Sequence, residues 1–178
     1  MKFTIALVVL GLVSLGPSAP NNFCICPKLD DRNVAELKKS SDVIVIGKFI
    51  RQIPLGNYDR GINTNGYFKI DSVLKGPAQL KHIVINQFPS GNCRELFDEK
   101  TEYVVTGKHI TEFKHLDYPD NQSPPATTIR DTVMECYSLD QNTLGKWNTI
   151  ANENYVVFTN QCLTFNLNSK SAAKILEY

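Results

Sequence analysis

The chain has almost no net charge. Its 19 Lys and Arg stand against 18 Asp and Glu, for a formal charge of +1. Such a protein has no net field with which to gather nucleic acid or an anionic membrane surface. Tyr67, Phe68 and Phe88 are available as stacking platforms for single-stranded bases, but without a basic groove around them strand aromatics read as core. Histidine is scarce. His82, His109 and His115 each fall in or beside a predicted strand, where a satisfied structural role outweighs a catalytic one. The sequence has no G-x-S-x-G elbow, no H-E-x-x-H pair and no glycine-rich phosphate loop. It reads as a binding protein rather than an enzyme, with no cofactor and no metal of its own.

Long apolar runs are also missing, apart from one at the start. Residues 3–15 are apolar except for Thr4, Gly11 and Ser14, and Lys2 precedes them. The run is shorter than the ~20 residues of a membrane span and suits the core of a secretory signal. Gly16 and Ser18 supply small residues at the −3 and −1 positions, so the predicted signal peptide is 1–18, cleaved after Ser18. Cleavage leaves about 160 residues, enough for one domain with a real core. It also removes Lys2, which balances the charges. The expected product is soluble and secreted, with no membrane insertion.

Five cysteines remain: Cys24, Cys26, Cys93, Cys136 and Cys162. In an oxidising compartment disulfides are the default. The number is odd, so one thiol is left over or pairs with another chain, and spacing alone selects no pairing. Cys24 and Cys26 are one residue apart and cannot bond each other without severe strain. Each needs a distant partner, and Cys24-Ile25-Cys26-Pro27 would then be a pinned, extended strip. A zinc site there would need two further ligands, and no Cys or His follows for many residues.

Asp30 and Asp31 are candidate caps of a short helix over 32–39, with Val34, Leu37 and Val43 facing inward and Lys38 and Lys39 at its C-terminal end. Strands are expected over 42–50, 67–74, 82–88, 102–110 and 128–139, with a bulge or bend at Gly47. The polar stretch 114–127, with three prolines, reads as an exposed loop. Within it Asn121-Gln122-Ser123 is a candidate N-glycosylation sequon. Leu144, Trp147, Ile150 and Ala151 share a helical face behind Asn142 or Thr143 as cap. Residues 155–158 extend that helix or form a strand, and Ser169 caps a last amphipathic segment. The expected class is mainly β with flanking helices, built on a small five-stranded closed β-barrel.

The order and spacing of several segments resemble a known family. Cys24-x-Cys26 opens the mature chain, and Asp42-Val43-Ile44-Val45 follows a short helix. Phe68-Lys69-Ile70, Leu74-Lys75-Gly76 and Tyr103-Val104-Val105-Thr106-Gly107-Lys108 come next. Together they are similar to the inhibitory domain of the tissue inhibitors of metalloproteinases, over about residues 24–165. That family has a netrin-like module with an OB-type barrel, and this chain resembles a single-domain member of the invertebrate type. The implied division is a signal peptide (1–18), a short extension (19–23), the netrin-like domain (24–166) and a helical tail (167–178).

The resemblance implies disulfides Cys24–Cys93 and Cys26–Cys136. The family's third bridge would need a cysteine in the first helix, where Lys39 and its neighbours stand, so Cys162 is expected as the free or intermolecular thiol. It also implies a mechanism. The α-amino nitrogen and carbonyl oxygen of an N-terminal Cys24 would ligate the catalytic zinc of a target protease, filling its open position. Ile25 would enter the pocket beside the zinc, unless it is simply a half-buried strand residue. Cys26 and Pro27 would continue the wedge, and Ser90, Gly91 and Asn92, tethered through Cys93, would form the adjoining contact. Cleavage after Ser18 leaves five residues ahead of Cys24 and turns its nitrogen into an amide, a poor zinc ligand. The expected partners are secreted or membrane-bound zinc metalloproteinases, with the extracellular matrix as a further one. The alternative is a non-inhibitory secreted netrin-like module binding matrix, receptor or immune ligands.

Overall fold

The structure, a computed structural model, describes residues 26–53, 65–87, 94–117, 127–136 and 139–177. Helix α1 (Asp31–Ser40) starts where the Asp30 carboxylate accepts from the Asn33 amide at 2.9 Å. It stops where the Ser41 hydroxyl and amide both turn back to the Leu37 carbonyl. Lys75 Nζ donates to the Lys38 carbonyl at 2.6 Å, placing a cation at the negative end of the helix dipole.

Strands β1 (Val43–Gln52), β2 (Gly66–Lys75) and β3 (His82–Asn86) form an antiparallel meander. The β1–β2 register slips at Ile46/Gly47, the position expected to bulge. A Cβ on Gly47 would collide with the Lys69 carbonyl, so the close approach of the two strands requires glycine there. Strand β4 (Glu102–Ile110) pairs back onto β1 from Val43↔Gly107 to Lys48↔Glu102.

The chain then leaves the barrel. Strand β5 (Glu112–His115) pairs in parallel with β7 (Val133–Cys136), which pairs in turn with β6 (Thr128–Arg130), making a separate three-stranded sheet. Helix α2 (Gln141–Glu153) packs against β5. Its Asn148 side chain accepts from the Phe113 amide at 2.7 Å and donates to the Phe113 carbonyl at 2.9 Å, standing in for a neighbouring strand. Strand β8 (Val156–Phe158) returns to lie parallel to β3 and antiparallel to β4. The ring β1-β2-β3-β8-β4 is thereby closed on β1, a mixed five-stranded barrel of OB type with flanking helices. Strand β9 (Thr164–Asn166) adds to β4, and α3 (Lys170–Glu177) follows, capped as expected by Ser169, whose hydroxyl accepts from the Ala172 amide.

Three apolar clusters explain the sequence pattern. Val43, Val45, Phe49, Phe68, Ile85, Phe97, Tyr103 and Val105 fill the barrel. The rings of Phe68 and Phe97 meet edge to face at 4.7 Å. Each such fully buried ring is worth ~2–3 kcal/mol over exposure. Ile44 and Val104 point outward and are covered by Ala172 and Ile175 of α3, with Leu37 of α1 packed beside them. The near-continuous run Val43–Ile46 therefore reflects burial on both faces of one strand. Beyond Val84 and Ile110, Trp147, Phe113, Met134 and Cys136 make a third cluster between barrel, small sheet and α2.

Several expectations need correction. The fifth barrel strand is Val156–Phe158, not 128–139. That stretch divides into β6 and β7 around Asp131, which adopts a positive φ of 54°. The run hides its turn because an Asp-Thr pair replaces the usual glycine signal. Lys114 and His115 belong to β5 rather than to a loop. Asp140, not Asn142 or Thr143, caps α2, accepting from both the amide and the hydroxyl of Thr143.

Candidate functional site

The cysteine pairing also differs from the expected one. Cys26 is bonded to Cys162, with Cα atoms 5.1 Å apart. Cys136 is the free thiol among the described cysteines, and Cys162 is not free. The cause is position. Cys136 ends β7, opposite His115 and buried in the Trp147 cluster. Cys162 lies in the turn between β8 and β9, held to β4 by the Leu163 carbonyl, which accepts from the Thr106 amide and hydroxyl. That turn adjoins α1, and Cys26 leads directly into α1. Burial pushes the Cys136 thiol up to about 12, so it stays protonated and unreactive at physiological pH. Cys24, Ile25, Ser90, Gly91, Asn92, Cys93 and Asn121 lie outside the described residues, and so does the signal peptide expected over 1–18.

What is described of the strip is firmly held. Cys26, Pro27 and Lys28 are exposed and Leu29 is half-buried. The disulfide fixes the strip at Cys26. Asn33 Nδ2 donates to the Lys28 carbonyl at 2.6 Å, and the Asp30 amide donates to the same oxygen at 3.1 Å. Lys174 of α3 donates from Nζ to the Leu29 carbonyl at 2.8 Å. Pro27 has no amide proton to satisfy. The Lys28 and Leu29 carbonyls are thus engaged by side chains from the helices on either side, so less ordering entropy remains to be lost when this segment binds.

Two grooves flank the strip. One, of about 290 Å³, lies toward α1 and includes Leu37, Glu36 and Leu163. The other, of about 340 Å³, lies toward α3 and includes Phe165, Lys170 and Lys174. Pro27, Leu29 and Cys162 line both.

The segment after Cys93 is anchored independently. Gln87, fully buried at the end of β3, donates from Nε2 to the Glu95 carbonyl at 2.9 Å and accepts from the Glu95 amide at 2.6 Å. Its own amide donates to Asn65 Oδ1. The base of the 88–93 segment is therefore pinned, whatever that segment contacts.

A second polar cluster sits at the start of β1. Asp42 accepts from the His109 amide at 3.1 Å and forms an ion pair with Lys108 at 3.1 Å. The His109 ring stacks on Tyr155 with centroids 3.8 Å apart. Desolvation holds the His109 imidazole below its ordinary value, against the opposing pull of the Asp42 carboxylate. His82 and His115 are exposed. His115 reaches Asp117 at 3.3 Å.

Among the described residues no group of three or more His, Cys, Asp or Glu is placed to hold a metal, and no helix is long and apolar enough to cross a membrane. Sequence reasoning missed Asn33 and Lys174. Each acts through a backbone carbonyl far along the chain or around a cap, which leaves no local mark. Neither a protein-family model nor a curated protein sequence matches this chain.

Proposed function

We propose that this protein is a secreted inhibitor of zinc metalloproteinases, acting through the Cys24–Pro27 strip. The observation that supports it best is the strip's mounting. Cys26, Pro27 and Lys28 are exposed, yet the segment is clamped to an OB-type barrel by a disulfide and by side chains from α1 and α3. A rigid, solvent-facing backbone of this kind suits insertion into a narrow cleft. The zinc belongs to the target. An N-terminal Cys24 would offer its amine and carbonyl to that metal, and with an ordinary α-amino pKa of ~7.7–8.0 a usable neutral fraction exists near pH 7. Ile25 would fill the apolar pocket beside the metal, and 90–93 would lie alongside.

The mechanism requires a free amine on Cys24. The test is N-terminal sequencing of the secreted protein, paired with titration against a matrix metalloproteinase panel. The reading expects a mature chain that begins at Cys24 and inhibits stoichiometrically, with inhibition lost on N-acetylation. A chain beginning at Ala19 that inhibits none of the panel would overturn it, in favour of a non-inhibitory netrin-like binding module.

A further inference from the structure

We infer that the groove between the strip and α3 is a docking subsite for an acidic peptide segment that carries a large apolar side chain, supplied by a protein partner. The groove lies beside the strip that the inhibitory reading uses, and it stands whether or not the partner is a protease.

Its lining has two parts. The apolar part consists of Leu29, Phe165 and the Cys26–Cys162 disulfide. The charged part consists of Lys28, Lys170 and Lys174, and no carboxylate lines the groove among the described residues. The Lys174 ammonium is held in place by its bond to the Leu29 carbonyl, which leaves further N–H donors for an incoming carboxylate. A volume of about 340 Å³ is at the small end of ligand sites, enough for a few side chains.

Two contrasts choose the occupant. A sulfated polysaccharide would engage the ammonium groups but leave the apolar floor uncovered. An apolar peptide without carboxylates would fill the floor but leave three cations without counter-charge. The groove on the other side of Pro27 and Leu29 carries no lysine, and its one carboxylate, Glu36, is paired with Arg32, so the positive charge is confined to the α3 side of the strip. A partner therefore docks in one orientation, with its acidic side toward α3.

The test uses the full secreted protein, labelled with ¹⁵N and titrated with the peptide Ac-EDLFED-NH2. Its neutral counterpart Ac-QNLFQN-NH2 and a heparin hexasaccharide are titrated in parallel. Amide shifts are expected at 28–29, 165 and 170–174, with a dissociation constant of about 1 mM or tighter. Binding should weaken at least about fivefold for the neutral peptide and for the double variant K28E/K170E. Both lysines are exposed, so the variant should keep its dispersed spectrum. The proposal is overturned by any of three results: no localised shifts with the acidic peptide, equal binding of the neutral peptide or by the folded double variant, or localised binding of the hexasaccharide alone.

Discussion

Lys174 and Leu29 are 145 residues apart, and the lysine ammonium sits 2.8 Å from the leucine carbonyl. Helix α3 thereby becomes part of the strip's support rather than an appendage. Lys174→Met keeps the aliphatic stem and removes the donor. The expected result is a loss of about 1 kcal/mol in urea unfolding, modest because the ammonium is half exposed. Amide exchange at 28–33 should quicken more than in the barrel strands. Unchanged exchange there would show that the bond does not support the strip.

The disulfide assignment is open to direct mapping. Digestion under non-reducing conditions should yield a Cys26–Cys162 peptide pair. Iodoacetamide should leave Cys136 untouched in the native protein and label it after denaturation, because burial holds the thiol at about 12. Replacing both Cys26 and Cys162 by serine opens a link of sequence separation 136, a cost of about 5 kcal/mol in the chain-entropy model. A Cys26–Cys136 peptide would refute the pairing.

Two glycines give opposite expectations. A Cβ on Gly107 would run into the Phe158 carbonyl, where β4 meets β8 to close the barrel, whereas one on Gly145 of α2 meets nothing within 4 Å. Gly107→Ala should destabilise by about 2 kcal/mol or more, since the obstacle is backbone. Gly145→Ala should stabilise by about 0.5–1 kcal/mol, through helix propensity and a less flexible unfolded chain. Thermal melts of the two variants against the parent check both signs.

The pH response should carry a mark of His109. Its imidazole is held below the ordinary value, chiefly by desolvation. The unfolded state therefore takes up a proton more readily than the fold. The associated stability is fully present above the unfolded value of ~6.5 and is lost as pH falls through the lower folded value. Melting temperatures measured from pH 8 down to pH 5 should fall less steeply for His109→Gln than for the parent. Parallel curves would assign the acid response to other groups.

Much of the barrel was legible because its strands announce themselves. Val43–Ile46 and Tyr103–Val105 are β-branched or aromatic runs, and burial on both faces demands such runs. The closing strand was not legible in the same way. Val156–Phe158 is three residues long, and its parallel pairing with β3 is a purely non-local relationship. The small sheet was hidden for a related reason. Phe113 is the one buried residue of β5, and a helix side chain completes that strand's hydrogen bonding. At the candidate site, the need of Cys26 for a distant partner followed from geometry alone. The choice among distant partners did not, because it depends on which loop the folded barrel brings alongside α1.

The Cys26–Cys162 link encloses α1, both sheets apart from β9, and the whole ring of barrel strands. A single peptide cut anywhere between those cysteines leaves two pieces that remain covalently joined. Removal of α3 and β9, which lie beyond Cys162, is the change that would sever an element from the rest by one cut. The molecule is thus wired to survive nicking. That property suits a protein whose proposed work brings it into the clefts of peptide-cleaving enzymes.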